Sequence, residues 1–328
     1  MYKYILKRIG LMIPVLIGIS IIIFTIISLT PGNPARLILG ERASQEAINQ
    51  LNDELGYNDP LPVKYVNYMV NLFQGDMGTS YRTGGSVVSE IGERFPVTLL
   101  LAVLDMFLTA VISIPLGVYI AIKKNSIADN VLTIVALVFT AMPSFWLGML
   151  LMLVFAVGLN ILPATGSDSF ACFILPAFTI SLLSVAQIMR MTRSSMLETL
   201  RSDYLRTARA KGVREKKIIW KHAIRNALLP VVTTLGVNFG WALGGSVITE
   251  TVFGMSGVGT LTLLSVRSKD VPLVMGCVLF MSLLFSVITL VVDISYAYID
   301  PRIKAQYGFR NKSRRPKRKE IRHVSSQS

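Results

Sequence analysis

Charged residues are scarce in this chain: they make up only 16% of its 328 positions against 52% hydrophobic ones, and the mean hydropathy is +0.56. A soluble domain of that composition would leave much apolar surface in water, so that class is excluded and an integral membrane protein is indicated. Cysteine is nearly absent. Cys172 and Cys277 are too few for a disulfide framework or a cysteine metal site, and both read as ordinary buried thiols. No His-Glu-x-x-His pattern and no plausible nucleophile and base pair is present. The phosphate-loop pattern G-x-x-x-x-G-K-[ST] is missing too: Gly254 and Gly259 have its glycine spacing, but Thr260 and Leu261 follow where Lys and Ser or Thr are needed. The chain is therefore not expected to be an enzyme, to hold a cofactor or metal, or to hydrolyse ATP. Ionisable residues inside the apolar runs are rare as well. Only Asp105 sits well inside one, with Asp293 nearer the end of another, which speaks against a secondary transporter or channel built on intramembrane charge clusters or paired interrupted helices.

What is abundant is apolar length. Runs at 9–29, 97–122, 131–159, 173–189, 228–249 and 272–299 are each near or above the roughly 20 residues that cross a hydrocarbon core. The first follows a basic start, but it is too long for a secretory signal and TPGNPA is a poor cleavage site. The expected fold is therefore all-α and polytopic, with six transmembrane helices. Basic residues number three, two, 11 and ten in segments 1–8, 123–130, 190–225 and 300–328, against five, none and two in 30–96, 160–172 and 250–271. That alternation places both termini and the 190–227 loop in the cytoplasm. It also explains the net charge of +14 without nucleic acid as a partner. The tail 308–328 has the composition of a disordered, solvated extension, lacks aromatic residues after Phe309, and can touch anionic lipid.

Segment 30–96 carries eight acids and five bases and is divided by proline turns, with helical patterning over 43–55 and 63–73. A small cap on the outer face is expected there. Pro14, Pro115, Pro143 and Pro176 can kink their spans. Gly236, Gly240 and Gly244 form a stripe that admits a close helix, in this chain or another. Glu250, Phe253, Gly257 and Gly259 predict a tight glycine turn after the fifth run, and Asp105 and Glu250 are the polar candidates for a pathway or a structural hydrogen bond.

The loop holds 11 Lys or Arg over 190–230 against Glu198, Asp203 and Glu215. Leu197, Leu200, Tyr204 and Ala208 recur at helical spacing, as do Ile219, Ala223 and Ala227, with Gly212 between them where a positive φ ends a helix. Two short amphipathic helices hinged at Gly212 are predicted. One face lies on the bundle or the bilayer surface and the other is free for a partner.

RTARAKG, preceded by SDYL and followed by HAIRNALLP, resembles the EAA-type cytoplasmic loop of ATP-binding-cassette importer permeases of the dipeptide/oligopeptide/nickel family. Arg206, Thr207 and Ala208 stand where the general pattern has Glu-Ala-Ala, so Ala208 and Gly212 match literally. TPGNP, LGYNDPLPVKY, ERFPVTLLL, ETVFGMSGVGTL and VVDISYAYIDPRI are similar to family phrases too, and the likeness spans about 1–307. It implies an importer-permease fold over that range, in the bacterial cytoplasmic membrane. It implies that Tyr204, Arg206, Thr207, Ala208, Arg209, Ala210, Lys211 and Gly212 form a coupling helix for a separate ATPase. It also implies a second homologous permease, two cytosolic ATPase subunits and an extracytoplasmic solute-binding protein as partners, and peptide as cargo, with nickel or another small solute as the alternative.

Overall fold

The computed structural model describes residues 2–30, 32–40 and 42–299; the basic tail at 308–328 lies outside them. Among the described residues the regular elements are helices, apart from one isolated bridge between Thr79 and Ser86. Helix α1 (Tyr2–Leu29) runs along the side of the bundle, and Leu11, Ile13, Ile22 and Ile26 are exposed as a lipid-facing surface requires. Three shorter helices follow, α2 (Pro34–Leu39), α3 (Gln45–Glu54) and α4 (Leu61–Phe73). The last two match the helical patterning read at 43–55 and 63–73, in the segment called the cap below. Asn33 and Ser44 cap α2 and α3 through their side chains, and Pro60 precedes α4.

Helix α5 (Val87–Ile122) has 36 residues and is about 54 Å long, well beyond the roughly 30 Å of hydrocarbon. It begins ten positions before the apolar run, so Glu90, Glu93 and Arg94 sit on the helix and not in a loop. Helix α8 (Ala171–Leu200) packs along α5. A Cβ at Gly117 of α5 would stand 2.7 Å from the Met189 carbonyl of α8, so the two backbones touch only because a glycine is there.

The third apolar run differs from the single span expected. It is two helices, α6 (Ile127–Ala141) and α7 (Ser144–Leu151), the latter prolonged by π-helical turns to Gly158, with a 105° bend between them. Pro143 is the cause. A proline drives the residue before it out of the helical region, and Met142 accordingly has φ −77 and ψ 137. Pro14, Pro96, Pro115, Pro176 and Pro230 all remain inside continuous helices.

After α8 come α9 (Asp203–Ala210), α10 (Glu215–Lys217), a π-helical stretch Ile218–Ala223, and α11 (Ile224–Gly245). Then follow α12 (Val247–Val252), α13 (Val258–Arg267) and α14 (Val271–Ile299). The glycine stripe of α11 has its partner within this chain: Gly236 meets Val292 and Gly240 meets Phe285 of α14, whereas Gly244 faces open space. Among the described residues five helices are long and apolar enough to cross a membrane, or six with the bent pair counted as one span. Arg8 of α1 and Asp293 of α14 pair at 3.0 Å, which holds the start of the first span beside the end of the last.

Candidate functional site

The basic loop is shorter than the apolar runs implied. Helix α8 continues to Leu200, and the next helix starts at Glu215 and runs on into the membrane, so the connecting hairpin is 201–214 with α9 as its one helix. The predicted second helix is the first turns of the fifth span. In α9 a Schellman motif closes the C-terminus: Val213 N–H donates to the Ala208 carbonyl at 3.2 Å, Gly212 N–H donates to that of Arg209 at 2.9 Å, and Gly212 takes φ +76.

Leu205 anchors the hairpin. It is fully buried with Val118 and Ala121 of α5, Met196 of α8, and Ile218, Ala223 and Ala227. The spacing argument chose Tyr204 for this role. The chain breaks at Arg201 and Ser202, so the face set by Leu197 and Leu200 does not continue in register into α9, and Tyr204 is exposed, its hydroxyl accepting from Asn226 Nδ2 at 2.7 Å. A similar shift places Ile218 rather than Ile219 in the core. Residues 218–223 are π-helical, and the wider turn brings Ile218 and Ala223, five apart, onto one face.

Of the predicted loop residues, Arg206, Thr207, Ala210, Lys211 and Gly212 are exposed beside Tyr204, and Ala208 is half-buried. Arg209 is occupied. Its guanidinium donates through Nε and Nη2 to the two Glu215 oxygens at 3.1 and 2.8 Å and through Nη1 to the Leu200 carbonyl at 3.3 Å. It braces the turn and covers the end of α8. The exposed surface of α9 and its C-cap is therefore Arg206, which pairs with the exposed Asp203 at 3.7 Å, with Thr207, Ala210 and Lys211, small or basic residues. Lys216 and Lys217 of α10 and Trp220 and Lys221 of the π-helical stretch are exposed just before α11, a composition typical of the membrane interface.

At the other end of the bundle the glycine phrase is built around one carboxylate. Glu250 is fully buried. Oε1 accepts from Thr98 Oγ1 at 2.7 Å and Ser246 Oγ at 2.8 Å, and Oε2 accepts from Thr260 N–H at 2.9 Å. Thr98 accepts in turn from Val258 N–H at 2.9 Å. Gly257 and Gly259 pack directly on the carboxylate, and a Cβ at Gly259 would lie 2.8 Å from Oε2. The two glycines are bare because Glu250 fills the space their side chains would need. Phe253 is buried in the core with Leu101, Phe173 and Leu175. Asp105 lies on the buried face of α5 and accepts from the Thr109 hydroxyl at 3.2 Å. The structure does not bring Asp105 and Glu250 together.

Two acid sites escaped the sequence reading. Asp129, buried at the start of α6, receives Arg193 of α8 through two bonds of 2.8 and 2.6 Å and the Asn125 N–H at 3.0 Å. Asp270, buried before α14, receives Ser80 Oγ at 2.5 Å and the N–H groups of Arg82 and Leu273. It thereby pins the cap to the bundle. Asp129 had a visible cue, since it stands three residues after the capping Ser126; Asp270 had none. Cys277 is buried and Cys172 only half-buried, beside Ser169.

Five long apolar helices and one bent pair, joined at one end by a basic hairpin, define an importer-permease architecture. The inward-facing MetNI methionine ABC transporter shares the fold, with a TM-score of 0.54 at 17% identity over 64% of this chain and 96% of that one. The chain belongs to the family described as binding-protein-dependent transport system inner membrane component, whose profile matches residues 113–305, with the N-terminal profile of the same family matching 1–102. Among curated proteins it is 41% identical to the dipeptide transport system permease protein DppB of Alkalihalophilus pseudofirmus, over 93% of this chain and all of that one. It is also 41% identical to the glutathione transport system permease protein GsiC of Salmonella typhimurium, over 93% and 99%. It is thus a multi-pass permease subunit of the bacterial inner membrane, and its family works with ATPase and further permease subunits.

Proposed function

We propose that this chain is one of two permease subunits of a peptide importer, and that α9 is the element by which a cytosolic ATPase moves it. The observation that carries the reading is the hairpin: a short helix held to the ends of α5 and α8 through Leu205, its turn set by Gly212 and braced by Arg209, with an exposed basic surface. Such an element transmits a push because it cannot fold away from the helices it rests on. ATP binding closes a pair of ATPases, each shifts the hairpin it grips, and the bundle switches from inward-facing to outward-facing. Both termini and the hairpin lie in the cytosol. The cap at 30–96 faces the extracytoplasmic side, where a solute-binding protein delivers cargo, and the path forms against a second, similar permease. Anionic lipid borders the basic ends.

The dipeptide and glutathione names of the relatives support short peptides as cargo. Uptake of labelled dipeptide, glutathione and nickel by the reconstituted importer decides among them, and uptake of nickel alone overturns the peptide reading. Gly212→Glu tests the coupling: a side chain at φ +76 unseats the turn and adds negative charge to a basic surface. The ATPase is expected to be lost on co-purification; wild-type recovery contradicts the assignment.

A further inference from the structure

Beneath the cap, between the end of α1, helix α4 and the start of α14, lies a cavity of about 370 Å³, within the roughly 300–1,000 Å³ of small-molecule sites. One side is apolar, formed by Phe24, Ile27 and Val271, and the rest carries charges of both signs. The charges are not spent on each other. Lys64 and Lys269 make no ion pair among the described residues, and neither do Asp59 and Asp76. The Lys64 ammonium sits 4.8 Å from the centre of the Tyr57 ring, a position that holds it in place without neutralising it.

Lys269 is the telling residue. Helix α13 ends in the same motif as α9, with Lys269 N–H donating to the Val266 carbonyl at 3.2 Å and Asp270 N–H to that of Ser265 at 2.9 Å. The position glycine holds in α9 is here a lysine at φ +55. A side chain is strained there, and a strained residue on a cavity lining points to a task for its ammonium group. Its chain lies across Gly32, where a Cβ would stand 2.8 Å from Nζ. The Tyr68 hydroxyl, on the same lining, is buried with no hydrogen-bond partner.

We propose that this cavity is a binding site for a small zwitterion with a free carboxylate and a free ammonium group, an amino acid or short peptide. Its carboxylate sits on Lys64 and Lys269, its ammonium group meets Asp59 and Asp76, and its apolar side chain lies on Phe24 and Ile27. It is an acceptor site on the outer cap, and it rests on the peptide reading and on the orientation proposed above.

The test uses the assembled transporter in phosphatidylcholine nanodiscs without binding protein, titrated with labelled alanyl-leucine and with its N-acetylated, C-amidated form. Saturable binding of the free dipeptide is expected, at least tenfold weaker in Lys269→Gln and in Lys64→Gln, with ATPase co-purification reporting that each variant is assembled. Tyr68→Phe keeps the ring and is expected to weaken binding several-fold. Equal binding of the blocked dipeptide, or undiminished affinity in the Lys64→Gln, Lys269→Gln double variant, overturns the proposal. So does absence of dipeptide binding together with retention, in ethanolamine-lipid nanodiscs, of a phospholipid that Lys269→Gln loses. A wild-type complex that imports dipeptide but does not bind it here refutes the cavity alone, whereas one that imports no dipeptide refutes the cargo reading.

Discussion

At Glu250 three donors converge on one buried carboxylate. Removing it with Glu250→Ala strands the Thr98 and Ser246 hydroxyls and the Thr260 N–H, at a cost of roughly 3 kcal/mol. Glu250→Gln keeps one acceptor oxygen and loses less. Thermal unfolding in detergent should rank wild type above Glu250→Gln above Glu250→Ala; equal midpoints would remove the structural role. Leu205→Ala empties a fully enclosed site and should cost about 2–4 kcal/mol. The effect is local, so hydrogen exchange across 203–210 should speed up while α5 and α8 stay protected. Glu250 was legible as a candidate because its phrase is rich in glycine. That the glycines exist to admit its carboxylate was not, because the donors come from positions as distant as Thr98. Asp105 was legible for the plain reason that acids are rare in apolar runs.

The scale of elements shows where periodicity works and where it fails. Long apolar runs marked the spans, and TPGNP, NDPLP and the patterns at 43–55 and 63–73 marked the cap helices. Helix ends were misjudged wherever a helix outlasts its apolar stretch, as α5 does at Val87 and α8 at Leu200. The break at Pro143 and the continuity through Pro115 look alike in sequence, since both prolines stand in long apolar runs. The glycines yield two sharp comparisons. Gly236→Leu should disrupt the seam between α11 and α14, because Val292 already occupies the space, whereas Gly244→Leu meets nothing and should leave the protein intact. Yields of monodisperse protein on gel filtration separate the two. Gly212→Ala should destabilise the α9 turn by about 1 kcal/mol, the cost of a side chain in the left-handed region, read as faster amide exchange at Val213.

For the whole molecule, the hairpin, the ends of α5, α8 and α11 and the Asp129–Arg193 pair all lie at one end of the bundle, and the cap is pinned at the other through Asp270 and Ser80. Force applied to α9 therefore reaches α5 directly, and α5 is long enough to carry it to the cap. The proposal puts the hairpin end in the cytosol on the distribution of Lys and Arg. The most direct test is labelling of Lys211→Cys, in a chain whose two cysteines are replaced by serine, with a membrane-impermeant maleimide. The account predicts no labelling from outside intact cells, ready labelling in inside-out vesicles stripped of ATPase, and protection when the ATPase is added back. Labelling from outside, or reactivity in vesicles unaffected by the ATPase, would contradict it.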